Sequence, residues 1–215
     1  QSTFYMNAQP AEQIKEIRDL MERSSRFISL SGLSGVGAGI IALAGALYAF
    51  FYLDYDLRYL NPEEYFGGEK PYLSPKTLLV LLLDAAIVFT SAIAFAIILT
   101  TRKARKSGQK IWTHSTRQLL ANLLVPLAAG GVFCIALLYH GIIYLIAPAT
   151  LLFYGMALLN ASKYTLSEIR WLGITEMLLG LTASIIPGYG LLVWAIGFGI
   201  LHIIYGMVMY LRYER

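Results

Sequence analysis

The chain has 215 residues, of which 57% are hydrophobic and 14% are charged. A soluble domain typically carries about 25% charged residues, so this composition indicates a multi-pass membrane protein instead. The single cysteine, Cys134, lies in an apolar run, which excludes an internal disulfide and a cysteine-based metal site. The 17 basic and 13 acidic residues leave a net charge of +4, and their distribution along the chain is more informative than that sum.

Residues 1–26 form a charged segment in which Ile14, Ile17 and Leu20 recur at helical spacing. This pattern predicts an amphipathic helix on the cytoplasmic side, before the first apolar run. Two interpretations are open. The helix is either a solvated approach to the membrane or a surface that lies on lipid or binds a partner.

Six apolar runs follow, and each is long enough to cross a hydrocarbon core of roughly 30 Å. We predict an all-α membrane bundle of six transmembrane helices arranged in three hairpins. The spans are expected at about 27–53, 77–101, 118–139, 142–160, 166–186 and 190–211. Pro126 and Pro148 fall inside the third and fourth spans and predict kinks there. The pattern from Thr165 to Glu168 predicts a capping box that opens the fifth span.

The first span is distinguished by small residues spaced four apart. They form two stripes, which are Ser31, Gly35 and Gly39, and Ser34, Ala38, Ala42 and Ala46. This spacing allows the backbone of a neighbouring helix to approach closely. We therefore expect the first span to be a packing spine for the other helices, or a seam between copies of the chain in a homo-oligomer.

Basic residues indicate the orientation of the spans. The N-terminal segment, the 102–117 loop, the 163–170 turn and the C-terminus hold 14 of the 17 Lys and Arg residues. The positive-inside rule then places both termini in the cytoplasm. The 102–117 loop is expected to contact anionic lipid headgroups rather than nucleic acid, since no nucleic-acid-binding fold surrounds it. Its predicted contact residues are Arg102, Lys103, Arg105, Lys106 and Lys110.

A short repeat suggests duplication, because the run 153–156 (FYGM) recurs as IYGM at 204–207. Glycines at 173, 180, 197, 199 and 206 surround Pro187, and this pattern resembles the hairpin repeat of the HdeD-like family. Members of that family are six-helix bacterial inner-membrane proteins associated with acid resistance. The resemblance implies a bacterial inner-membrane location, and it brings no catalytic motif with it.

Three ionisable side chains lie deep in the predicted spans, and each costs about 2.5–3.5 kcal/mol to insert. At about 1.5 Å per residue, Glu176 and His202 lie roughly 9 and 15 Å from the same membrane edge, so they nearly meet. Asn122 lies near the level of Glu176, whereas Asp84 lies nearer the outer face. We expect Glu176, His202 and Asn122 to form a binding site or proton pathway, with Asp84 as an outer gate. The alternative is that these polar groups only satisfy one another in packing.

The predicted function is therefore a small-solute or ion pathway, or a pH-sensitive membrane protein that uses these residues. The alternative is a structural, sensory or stress-response protein without transport or catalysis. The chain carries no HExxH motif, no serine nucleophile elbow and no histidine pair at ligand spacing. We accordingly predict no enzymatic activity, no cofactor and no metal.

Overall fold

The structure, a computed structural model, describes residues 30–53, 74–108, 110–186 and 188–215, and all regular elements within these ranges are helices. The α-helices are α1 (Gly32–Tyr52), α2 (Pro75–Lys106), α3 (His114–Tyr139), α4 (Ile146–Ala161), α5 (Ser167–Ile185), α6 (Gly190–Trp194) and α7 (His202–Tyr213). A π-helix, Ala195–Leu201, joins α6 to α7, and we call the continuous run Gly190–Tyr213 the last span. Short 3-10 turns lie on either side of α4, at Ile143–Leu145 and Ser162–Tyr164. The predicted amphipathic segment 1–26, residues 27–29 of the predicted first span, and residues 54–73 between the first and second predicted spans lie outside the described residues.

Five helical runs are long and apolar enough to cross a membrane. They are Gly32–Tyr52, Pro75–Lys106, His114–Tyr139, Ile143–Tyr164 and Gly190–Tyr213. Helix α5 is not among them, because it carries Glu168, Arg170 and Glu176 within 19 residues. The prediction of an all-helical chain with several membrane-crossing helices is confirmed for the described residues. A count of six spans, in three hairpins, stays a prediction.

Two helices extend beyond the predicted spans. Helix α2 continues past residue 101 to Lys106, since the basic residues of its last turn complement the negative end of the helix dipole. Helix α3 begins at His114 because the hydroxyl of Thr113 accepts a hydrogen bond from the N–H of Thr116. Much of the basic 102–117 segment therefore lies on helix ends instead of in a loop.

Two predicted local features are wrong. Helix α5 begins at Ser167 with Leu166 at its N-cap, so Glu168 is not in the third position that a capping box requires. Pro148 lies in the first turn of α4, where a proline is tolerated, rather than inside the helix as predicted.

The helices pack as two groups that the last span connects. Helix α1 packs between α2 and the last span, while α4 packs between α3 and α5. The last span also touches α4 and α5, although its main partner is α1. The two helices of the predicted third hairpin touch each other, although each packs mainly against a different neighbour.

The contact between α1 and the last span is made by glycines. A Cβ atom on Gly206 would lie 2.6 Å from the backbone nitrogen of Val36 and 2.7 Å from the carbonyl oxygen of Gly32. A Cβ atom on Gly39 would lie 2.6 Å from the carbonyl oxygen of Gly199. The residues of the two predicted stripes all lie in packed positions: Ser31, Ser34, Gly39, Ala42 and Ala46 are buried, and Gly35 and Ala38 are half-buried. The two backbones therefore touch along several turns, which any larger side chain would prevent.

The C-terminal end of the last span ties α1 to α2. The carboxylate of Glu214 accepts hydrogen bonds from the backbone N–H of Gly32, at the start of α1, and from the ammonium group of Lys103 at 3.2 Å. Lys103 also donates to the carbonyl oxygen of Leu30 at 2.7 Å. An acid at a helix N-terminus is favoured by the helix dipole, so Glu214 stabilises the beginning of α1.

The two preceding residues attach the same end to α5. The guanidinium group of Arg212 lies 2.7 Å from the carboxylate of Glu168, and the hydroxyl of Tyr213 donates to that carboxylate at 3.0 Å. Residues 212–214 thus join the starts of α1 and α5 and the end of α2 at one end of the bundle.

The glycine contact makes a direct prediction. The variant Gly206→Ala should destabilise the protein by about 1–3 kcal/mol, because its new methyl group meets backbone atoms that cannot rotate away. The measurement is thermal or denaturant unfolding of the purified protein in detergent. Gly131→Ala is the matched control, since a Cβ atom at that position of α3 meets nothing within 4 Å. Equal stabilities of the two variants would contradict the packing.

Candidate functional site

Three polar side chains from α4, α5 and the last span meet inside the bundle. Nδ1 of His202 lies 3.4 Å from the carboxylate of Glu176, and Nε2 of His202 lies 2.9 Å from the hydroxyl oxygen of Tyr154. Glu176 has 0% of its surface exposed and His202 has 7%. We call Tyr154, Glu176 and His202 the buried cluster.

The π-helix of the last span creates the space for this cluster. A Cβ atom on Gly197 would lie 2.5 Å from Oε2 of Glu176 and 2.5 Å from a methyl carbon of Leu151, so any larger residue would displace one of these two side chains. The carbonyl oxygen of Gly197 also lies 3.0 Å from Nδ1 of His202. Single π-helical turns inside longer helices are rare and frequently lie at functional sites.

Aromatic rings fix the orientation of the imidazole. The ring of Phe198 stacks on His202 with a centroid distance of 5.8 Å and an interplanar angle of 22°. The ring centroids of Tyr154 and Trp194 each lie 5.0 Å from that of Phe198. This apolar surround keeps the histidine facing the carboxylate.

The hydrogen bonds restrict where protons can reside. A carbonyl oxygen only accepts, so the contact with Gly197 requires a proton on Nδ1 of His202. When the imidazole is neutral, Nε2 then accepts from the hydroxyl of Tyr154. Both carboxylate oxygens of Glu176 are buried and make no hydrogen bond within the described part of the chain. An isolated carboxylate there would be very costly, so Glu176 is either protonated or paired with an imidazolium.

This arrangement gives the cluster two states of zero net charge and one of positive charge. A neutral acid beside a neutral imidazole and a carboxylate beside an imidazolium differ only in the position of one proton. Uptake of a further proton leaves a single positive charge in an apolar site. The cluster can therefore hold or gain a proton, and gaining one changes the electrostatics at the centre of the bundle.

The structure shows two of the four predicted polar residues in contact with each other. Glu176 and His202 are in contact, whereas the side-chain amide of Asn122 donates to the carbonyl oxygen of Gln118 in its own helix, at 2.8 Å. Asp84 is only partly buried, and its carboxylate faces Gly45 of α1.

The distance between Asp84 and the cluster follows from their contacts with α1. The backbone of His202 packs against Gly35, which lies ten residues before Gly45 in the chain. The two contact points are therefore about 15 Å apart along the helix axis. Asp84 is separate from the buried cluster.

Sequence reasoning did not identify Tyr154 or Gly197 as parts of the site. Tyr154 belongs to the repeated sequence at 153–156, and that repeat was the one signal that could have singled it out. Gly197 was noted only as a glycine in an apolar helix, because its role depends on what α5 places opposite it.

The predicted lipid-contact residues are not equivalent. Lys103 is drawn inward by Glu214, and its side chain is only 20% exposed. The remaining four, Arg102, Arg105, Lys106 and Lys110, are exposed. No group of three or more His, Cys, Asp or Glu side chains that could hold a metal ion occurs within the described residues.

Fold and cluster together describe an all-helical chain with several membrane-crossing helices and a buried acid–imidazole contact. No family model matches the chain, and no curated protein and no solved structure matches it either. The resemblance to the HdeD-like family thus stays a prediction.

A double-mutant cycle tests the cluster. Tyr154→Phe and His202→Gln should be non-additive, with a coupling free energy of about 0.6–1.7 kcal/mol, as is typical of hydrogen bonds between membrane helices. The measurement is the free energy of unfolding of the two single variants and the double variant. The control cycle combines His202→Gln with Asn122→Ala, for which we expect additivity, because Asn122 bonds within α3. Coupling in the control cycle, without coupling between Tyr154 and His202, would contradict the hydrogen bond between these two side chains.

Proposed function

We propose that the protein is a multi-pass membrane protein that responds to proton concentration, and that the buried cluster is its protonatable site. One observation carries the proposal. Glu176 has no exposed surface, and the only polar partner described for its carboxylate is a histidine, at 3.4 Å.

The pattern of hydrogen bonds supports a functional role over a purely structural one. A polar residue retained for packing is normally hydrogen-bonded to a neighbouring helix, since an unsatisfied group is expensive in an apolar environment. Glu176 departs from this pattern, because both of its oxygens lack a hydrogen bond in the described structure. A fully buried acid whose oxygens make no hydrogen bond in the described structure is better explained by its ability to exchange a proton.

Few ionisable side chains are described close to His202. Tyr154 and Glu176 are the ionisable side chains described against it on α4 and α5. Helix α1 also packs against the last span, and its residues 32–47 include no ionisable side chain. A proton gained by the cluster is therefore not compensated locally, and we expect it to weaken the packing of the last span against α5.

The cluster could also serve the transport of a small solute or ion. Transport requires the cluster to exchange with water on each side of the membrane in turn, whereas sensing requires exchange with one side only, and the complete burial of Glu176 favours the smaller requirement. The proposal includes a location in a bacterial inner membrane with both termini cytoplasmic, which the concentration of basic residues at one end supports. A stress-response role without transport is compatible with this proposal.

Infrared difference spectroscopy tests the assignment of the proton site. Between acidic and alkaline pH, the wild-type protein should show a pH-dependent carboxyl band that disappears in Glu176→Gln. Asp84→Asn is the control, because this second intramembrane acid lies apart from the cluster. His202→Gln should shift the pH at which the band changes, since it removes the partner of the carboxylate.

Proteoliposomes with an imposed pH gradient separate sensing from transport. For a sensor, we expect no proton flux above that of protein-free vesicles, together with the infrared response. A proton flux that is present in the wild type and absent in Glu176→Gln would show that the protein transports protons instead of sensing them. A pH-independent spectrum that is identical in wild type and Glu176→Gln would refute both.

A further inference from the structure

Exposed cations are concentrated at the end of the bundle where the last span terminates. They come from the end of α2, the start of α3, the 3-10 turn after α4 and the first turn of α5. We call this surface the basic end, and it consists of Arg102, Arg105, Lys106, Lys110, Arg117, Lys163 and Arg170, all of them exposed. The helix ends that carry these cations are adjacent. Helix α3 contacts the turn Ser162–Tyr164, Glu214 pairs with the end of α2, and Arg212 pairs with the start of α5.

The acids at this end do not neutralise those cations. Within the described ranges they are Glu168 and Glu214, and both are largely buried. Glu168 is held by Arg212 and Glu214 by Lys103, so both negative charges are already compensated inside the protein. The basic end consequently presents unbalanced positive charge outward.

Two exposed tryptophans fix the depth of this surface. Trp112 is 69% exposed and lies just before α3, and Trp171 is 61% exposed and lies in the first turns of α5. Exposed tryptophan rings favour the boundary between hydrocarbon and headgroups. Arg170 is adjacent to Trp171, and Lys110 is two residues from Trp112, which places both cations at the level of the lipid phosphates.

We propose that the basic end binds anionic phospholipid headgroups in preference to zwitterionic ones. Charge complementarity identifies the partner, and the tryptophans place the charges in the headgroup layer rather than beyond it, where a nucleic acid or an acidic protein would bind. The structure adds to the expectation from sequence in two ways. It removes Lys103 from the set, and it adds Arg117, Lys163 and Arg170 from other helices. This preference is independent of proton sensing by the buried cluster.

Quenching of tryptophan fluorescence by brominated phosphatidylcholine measures the preference directly. The full chain carrying Trp194→Phe is used, so that Trp112 and Trp171 report from the basic end alone. Unbrominated phosphatidylglycerol should relieve the quenching more effectively than unbrominated phosphatidylcholine. Each basic residue near an anionic surface contributes about a fivefold preference, so Lys106→Gln with Lys110→Gln should reduce the selectivity by roughly 25-fold, and high salt should do the same.

Four comparisons can overturn the proposal. Lys76→Gln removes an exposed cation at the start of α2, at the opposite end, and should leave the selectivity unchanged. Lys106→Arg with Lys110→Arg should also preserve it, because the charge is kept. Equal selectivity in the Gln variants and the parent would refute the proposal. So would relief of quenching by inorganic phosphate or an acidic peptide as effective as that by phosphatidylglycerol.

Discussion

Backbone contact between α1 and the last span, at Gly32, Gly39 and Gly206, is the constraint on which the rest of the structure depends. Lipid chains are as apolar as leucine, so helices in a bilayer associate through close packing rather than through hydrophobic burial. The glycines provide that packing and draw the last span towards α1. Helix α5 then packs against α4, and it meets the last span over only a limited area.

The buried cluster occupies this limited contact. The carboxylate of Glu176 lies in the position that a side chain on Gly197 would occupy. A π-helix holds more residues per turn than an α-helix, so the turn Ala195–Leu201 lets α6 and α7 keep different registers. Helix α7 can follow the glycines of α1, while His202 still faces α5. The two requirements explain why the irregular turn and the ionisable pair lie together.

Depth along the membrane could be predicted from the sequence, but the direction of each side chain could not. Counting residues from basic edges correctly indicated that Glu176 and His202 lie at similar depth. The same counting could not show that the amide of Asn122 donates to a carbonyl oxygen of its own helix, because depth does not reveal the direction of a side chain. Glu168 was misread as a capping residue, since its partner, Arg212, is 44 residues away and local patterns cannot show such a contact.

The identity of each cation separates the buried cluster from the other carboxylate pairs. Glu168 pairs with Arg212 and Glu214 with Lys103, and these partners keep their charge throughout the physiological pH range. Both of these pairs also lie at the end of the bundle, close to water. Among the acids in the described ranges, only Glu176 is paired with a histidine, the side chain whose charge changes most readily between pH 5 and 8. On the proposed function, the same electrostatic interaction attaches the helix ends permanently and makes a reversible contact at the centre.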